Sequence, residues 1–292
     1  EGQTVHRVSC LGQCDRAPVS LNAENRLEAS APRGGVTPDN PALPMNLGGS
    51  DDPTYRGLRH AQNIGAEAVL DQLELSGLQG RGGAGFPAHI KWRAVLNETP
   101  SPKYVICNAD EAEPGTFKDR ELMLRRPHLM LEGLAIAAWV TGAEAIYIYV
   151  RGEFPEEKEC LEAALAKGGL EAFDFRFVVG HGAYICGEET ALIESIEGRR
   201  GMPRIKPPYP TQHGLWGKPT LMNNVETLAC VPDILLRGGQ RFRDLGITEP
   251  GTKLYCLSGH VNRPGVYELP LGASLEDLVA IGGGYVGTPL AF

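Results

Sequence analysis

The sequence predicts an α/β fold, a mostly parallel Rossmann-like sheet covered on both faces, followed by a small β-rich unit. Three observations carry this. From Lys103 onward, short apolar runs alternate with amphipathic stretches, the pattern of strands and helices that share a parallel sheet. Just before the first of these strands stands Gly80-Arg81-Gly82-Gly83-Ala84-Gly85-Phe86-Pro87, too rich in glycine to be regular structure. After Pro250-Gly251 the apolar period changes to two, which reads as paired strands.

The elements follow in order. Pro32, Pro38, Pro41, Pro44 and Pro53 make residues 29–53 an expected extended, weakly structured linker. Val69, Leu70, Leu73 and Leu75 among acidic and amide residues make Glu67 to Leu78 an amphipathic helix, and Ala88 to Glu98 reads as another. Tyr104 to Cys107 is a buried strand ending in polar Asn108, Asp110, Glu111 and Glu113. Helix is expected over Leu122 to Thr141, strand over Ala145 to Val150, and helix over Pro155 to Lys167, with proline in its first turn. A strand over Phe173 to Val179 and a helix over Glu188 to Glu197 come next. Residues 199–219 form a long loop rich in proline, glycine and basic residues, a length usual for functional loops. Asn223 and Asn224 precede a helix from Val225 to Leu236. The last elements are strands Lys253 to Ser258 and Gly265 to Leu269, then a helix from Ser274 to Ala280 capped by Ser274.

At 292 residues, 42% of them hydrophobic, the chain has room for a large core and two or three domains. A net charge of −8 with no basic run excludes a nucleic-acid surface. The most apolar region, Leu129 to Val150, is broken by Glu132, Gly133 and Glu144, so no membrane span is expected, nor is a signal peptide. Seven scattered cysteines, an odd number, do not make a disulfide scaffold and point to a reducing, cytoplasmic compartment.

The glycine loop carries the first functional reading. Its freedom to take positive φ lets a ligand lie against bare backbone N–H groups, and such a run forms an anion-binding concavity. Arg81 and Lys91 add positive charge on either side. Gly80, Gly82 and Gly85 match G-x-G-x-x-G, but that fingerprint needs a strand before it. Here a helix precedes it, so the loop is read as a phosphate loop of another kind, with a plain surface loop as the alternative. The acids Asp110, Glu111, Glu113, Glu188 and Glu189 are either a solvated face or the lining of a cleft, where mutual repulsion would raise their pKa values. Asn223 and Asn224 suit both a helix cap and the mixed edge of a ligand ring. Cys10 and Cys14 can face one iron, yet two ligands are an incomplete site, and free thiols are the other reading.

Four blocks in one order make the chain resemble a known family: Gly80 to Trp92, Tyr104 to Arg120, Gly182 to Thr190, and Lys218 to Thr227. It is similar to the FMN-carrying, NADH-oxidising subunit of respiratory complex I. It is also similar to the diaphorase subunits of NAD-dependent formate dehydrogenases and hydrogenases. The resemblance implies an FMN- and NADH-binding α/β domain over 54–248 and a ubiquitin-like β-grasp (SLBB-like) domain, truncated, over 249–292. It implies that 1–28 is the remnant of a thioredoxin-like [2Fe–2S] domain, with Cys10 and Cys14 as part of its ligand set. The implied FMN contacts are Gly80, Arg81, Gly82, Gly83, Lys91, Asn108, Asp110, Glu111, Gly187, Glu188, Asn223 and Asn224. For NADH they are Phe86 and Tyr209 against the adenine, Glu113 near the nicotinamide, and Glu189 and Lys206. A second stacking aromatic expected soon after Trp92 is replaced by Arg93-Ala94. No general acid or base is implied, because the flavin carries the hydride. Iron–sulfur clusters and further electron-transfer subunits are the implied partners, with membrane association only through such a complex. A partner-docking module with a degenerate flavin site is the non-enzymatic alternative.

Overall fold

A computed structural model of the protein describes residues 10–22, 26–29 and 31–287. Val8 and Ser9 of the cysteine-bearing segment and the last five residues lie outside these. Strands β1 (Val19–Leu21) and β2 (Leu27–Ala29) form an antiparallel pair, and β3 (Gly35–Val36) follows. Helices α1 (Arg56–Ile64) and α2 (Ala66–Ser76) meet at Gly65, and α3 (Ala88–Asn97) comes after the glycine loop.

Four parallel strands build the central sheet. β4 (Tyr104–Ala109) leads into α4 (Lys118–Arg125) and α5 (Pro127–Thr141), then β5 (Ala145–Val150), α6 (Pro155–Leu165) and β6 (Phe175–Val179). The expected single helix over 122–141 is therefore two, broken at Arg126 because a residue before proline is driven out of the helical region. All six residues of β5 are buried, as a strand covered on both faces requires. After α7 (Glu189–Ile196) and the short α8 (Pro210–His213), the chain returns as β7 (Thr220–Asn224) beside β4. The sheet order is β6-β5-β4-β7. Sequence reading missed β7: Thr-Leu-Met-Asn-Asn has neither alternation nor a β-branched run, and its pairing to β4 decides its conformation. α9 (Val225–Arg237) packs on α5, and α10 (Gly239–Arg243) on α2.

The third sheet has the order β3-β9-β8, with β8 (Thr252–Leu257) antiparallel to β9 (Gly265–Pro270); α11 (Leu275–Ile281) follows with a Ser274/Asp277 capping box. The segment read as a weakly structured linker supplies β3, parallel to β9. A Cβ on Gly265 would lie 2.0 Å from the Gly35 carbonyl, so this approach requires glycine. Met45 and Leu47 are buried, and the carboxylate of buried Glu268 accepts from Asn46 N (2.8 Å) and Thr252 Oγ1 (2.7 Å). Proline spacing suggested looseness, but the amides of Gly35, Thr37, Met45 and Asn46 bond to the body the segment crosses. Among the described residues no helix is long and apolar enough to cross a membrane.

Glu157 in α6 is fully buried and neither carboxylate oxygen has a hydrogen-bond partner. Burial pushes its pKa up to about 7. A raised carboxyl leaves folding unpenalised below the unfolded pKa, and stability is lost as pH rises towards the folded value. Glu157→Gln should therefore raise stability at pH 8 by on the order of 2–3 kcal/mol and change little at pH 4.5. Calorimetric melting of both proteins at the two pH values checks this; equal gains at both would refute it.

Candidate functional site

The crevice forms where β4 and β7 lie side by side. The chain leaves β4 towards β5 and β6 on one side, while β7 flanks the other. This divergence opens a cleft at the carboxyl ends of the strands. Register places Cys107 beside Asn223 and Asn224 beside Asn108 at its base.

The glycine loop spans the crevice and is closed at its stem. Gly80 N donates to Phe86 O, Ala88 N to Leu78 O (each 2.9 Å), and Arg81 N to Thr227 Oγ1 (2.8 Å). Helix α2, not a strand, precedes it, so it is no dinucleotide fingerprint. Beyond the stem, the N–H groups of Gly82, Gly83 and Ala84 have no acceptor among the described residues. Gly83 has φ 119°, and a Cβ there would meet nothing within 4 Å, so its face is open.

Two cavities of about 720 and 630 Å³ share Gly82, Asn108, Gly187, Glu188 and Asn224. The first takes in Gly83, Arg81, Asp110, Glu111, Glu113, Lys118 and Tyr184, with β8 as one wall. The second takes in Gly80, Phe86, Lys91, Ala94, Glu189, Lys206, Tyr209 and Asn223. Every FMN- or NADH-assigned residue thus lines one lobe or both. Phe86 is 50% and Tyr209 54% exposed, so neither is core packing.

The carboxylates divide into two groups. Burial raises Asp110 to about 6 against the opposing pull of Arg151, and Asp110 Oδ2 has no partner. Burial raises Glu111 to about 7, with Asp119 adding to it. The Glu111 carboxylate accepts from Asp119 N (3.0 Å) and Arg120 N (3.1 Å), so it caps α4. Glu188 and Glu189 go the other way, against the expectation of mutual repulsion. Burial pushes both up, but Glu188 accepts from Thr190 Oγ1 (2.6 Å) and Ala191 N, and Lys206 bridges the two at 3.0 and 2.8 Å while Lys91 reaches Glu189 at 3.0 Å, leaving both lowered. Glu188 also caps α7 through Thr190 N and Ala191 N. Lys91 is thus already engaged, donating also to Met222 O (3.1 Å).

Three asparagines are fixed. Asn108 donates to Gly187 O (2.9 Å) and accepts from Asp110 N (3.1 Å). Asn223 accepts from Trp92 Nε1 (2.8 Å), and Asn224 caps α9 through Glu226 N (3.0 Å). Arg81 turns away from the loop tip to donate to Pro250 O (3.2 Å), and its buried Nε has no partner. Glu113 stands at the mouth and accepts from Tyr184 OH at 2.5 Å. Lys118, Tyr184, Thr227 and β8 were missed as site residues. Lys118 and Tyr184 lie inside the segments Tyr104 to Arg120 and Gly182 to Thr190, but only packing reveals their direction; β8 comes from a separate sheet.

Cys10 and Cys14 lie beside one another against the first lobe. Burial raises the Cys14 thiol, neighbouring Cys10 adds to this, and the N–H of the lining residue Gly115 bonds to Cys14. The segment is clamped: Arg151 donates to Cys10 O, and buried Arg120 donates to Gly12 O (2.8 Å) and Asp15 (2.9 Å). No group of three or more metal-ligating side chains is assembled among the described residues. For a phosphorylated ligand the donors fit: the loop amides without acceptors and an open face at Gly83 can take the phosphate, while the orphaned Asp110 oxygen is an acceptor for a hydrogen-bond donor elsewhere on the ligand.

Comparison with known proteins agrees with this geometry. The model of the Nuo51 FMN-binding domain matches residues 73–233, and that of the SLBB domain residues 254–290. An NADH-quinone oxidoreductase subunit of Rhizobium meliloti (strain 1021) is 51% identical over 77% of this chain and 57% of its own length. The NADH-quinone oxidoreductase subunit of the same kind from Aquifex aeolicus (strain VF5) is 50% identical over 78% and 56%. The chain thus spans little more than half the length of these relatives. One chain of the crystal structure of an NAD+-reducing [NiFe]-hydrogenase in the air-oxidized state superposes with TM-score 0.88 at 37% identity, covering 96% of this chain and 54% of that one. With its family model spanning more than half of the sequence, over the residues that build the crevice, the chain belongs to the Nuo51 FMN-binding domain family.

Proposed function

We propose that this chain is the flavin- and nucleotide-binding part of an NADH dehydrogenase module. The crevice residues would hold FMN, and the bound flavin would supply hydride chemistry with NADH and single-electron transfer towards iron–sulfur clusters of a larger, cytoplasm-facing complex. The observation that carries this reading is the run of unpaired amides at Gly82, Gly83 and Ala84 beside Asn224, at the strand divergence. FMN supplies the redox chemistry when bound; the protein's part is to bind and orient. In this reading the loop amides hold the phosphate, and the fixed side chains of Asn108 and Asn223 and the unpaired Asp110 oxygen meet the rest of the flavin. Phe86 and Tyr209 offer exposed rings to the adenine, and Lys206, Glu189 and Glu113 line the path of the dinucleotide. Ala94 leaves the adenine one aromatic wall fewer than the family pattern implies. In this reading Cys10 and Cys14, beside the first lobe, are two thiols of an incomplete cluster site.

The structural likeness to an NAD+-reducing hydrogenase supports a second reading with the same site chemistry, a diaphorase working on NAD+. The partner subunits, not the crevice, separate the two.

Reconstitution with equal FMN and FAD should leave FMN bound, because one phosphate cradle is present, and anaerobic NADH should bleach the flavin absorbance. Preferential retention of FAD, read by mass spectrometry, would contradict this.

A side chain at Gly82 would press on Asn224 Cβ, already 3.2 Å from an added Cβ, and occupy the cradle. Gly82→Val should abolish FMN binding with circular dichroism unchanged. A folded variant with normal flavin content would remove the loop from the site.

Glu113→Gln keeps size but removes the charge that Tyr184 solvates. NADH affinity and the limiting rate of flavin reduction should both change, by about 3- to 10-fold, with FMN retained. Stopped-flow reduction over an NADH concentration series reads both; if neither moves, Glu113 is a solvated bystander.

A further inference from the structure

Lys118 is the cation that sequence reading passed over. It opens α4, is 6% exposed, and pairs with Asp119 at 2.8 Å and Glu226 at 2.9 Å. A buried ammonium costs several kcal/mol unless it is paired and hydrogen-bonded, so its surroundings are organised around it. Each partner has a second bond: Glu226 Oε1 accepts Leu254 N of β8 (2.8 Å), and Asp119 Oδ2 accepts Asn224 Nδ2 (2.6 Å). The ammonium itself reaches Asn224 Oδ1 at 3.4 Å. Lys118 thus ties α4, the start of α9 and β8 together on the wall of the first lobe.

The consequence falls on Asn224. Its Oδ1 faces two donors, Glu226 N and the Lys118 ammonium, and its Nδ2 faces a carboxylate. A flipped amide would set N–H against N–H at one end and oxygen against carboxylate at the other. The amide therefore has one orientation. Asn224 Cβ is also the atom nearest the face of Gly82, 3.2 Å from where a Cβ would stand. One side chain thus meets both the Lys118 ammonium and the backbone of the loop that offers the free amides.

We propose that Lys118 is a positioning residue of the flavin site: it locks the Asn224 amide behind the glycine loop and holds a fixed positive charge on the flavin lobe. The proposal rests on the reading of the crevice as an FMN site. A cation there favours the extra negative charge of reduced flavin, so Lys118 bears on potential as well as affinity.

The test uses the full chain, FMN titrations followed by fluorescence quenching, and spectroelectrochemistry of the loaded protein. Wild type is measured first; failure to bind FMN would defeat the flavin reading itself and say so separately. With wild type bound, Lys118→Gln should weaken FMN by about 10- to 100-fold, as for loss of a charged hydrogen bond, and move the midpoint potential negative. Asn224→Ala should cost less in the Lys118→Gln background than in wild type, since both act through one amide. Should Lys118→Gln not fold, Lys118→Met combined with Glu226→Gln removes the pair together, keeps an acceptor for Leu254 N, and should show the same two losses. Affinity within twofold of wild type, an unmoved potential, or fully additive losses would overturn the proposal.

Discussion

The pairing of β7 alongside β4 is the constraint on which the site depends. It sets Asn224 level with Asn108 at the carboxyl ends of β4 and β7, where the crevice opens. Asn224 is both the last residue of that strand and the cap of α9, so one residue ends the sheet and starts the helix. Thr227, one turn on, holds Arg81 N and hence the loop stem. Loop, helix and sheet are thus referred to a single register. A slip of one residue in β7 would move the cap, the stem anchor and the crevice floor together.

Charge is handled differently in the two lobes. Towards the second, Lys206 pairs with Glu188 and Glu189 and Lys91 pairs with Glu189. An incoming anion there must compete with carboxylates for the lysines, which makes binding an exchange of partners. In the first, Asp110 and Glu111 are burdened by desolvation, and one Asp110 oxygen is left unpaired. That oxygen is available to a ligand that donates hydrogen bonds. The cost of its burial is carried by the fold until a donor arrives.

Most of this was legible in the sequence, for identifiable reasons. The glycine loop announces itself because glycine adopts positive φ most readily, as Gly83 and Gly85 do here, and the buried strands β4 and β5 because their apolar runs are continuous. The direction of the pKa shift at Glu188 and Glu189 was not legible, since it depends on hydrogen bonds from Thr190 and Ala191 at the start of α7 and on Lys91 and Lys206, the last approaching from a loop of irregular shape. Glu111 read as a site acid, yet its oxygens belong to the amides of α4. The strand β7 and the packed course of residues 31–49 were hidden for one reason. Their conformation is decided by partners far away in sequence, and local propensity carries no trace of those.

The parallel pair of β3 with β9 has a consequence for how the molecule comes into being. Thr37 accepts from Glu268 N across 231 positions of chain. At ordinary rates of synthesis that separation is roughly 10–50 s, during which the early strand has no sheet to join. The flavin domain lies between the two and can condense first around its own parallel sheet. The small sheet then closes over it like a belt buckled last, and this long-range closure is the kind of step that slows folding. A nascent chain interrupted before residue 265 would lack β9 and leave β3 without a strand to pair with.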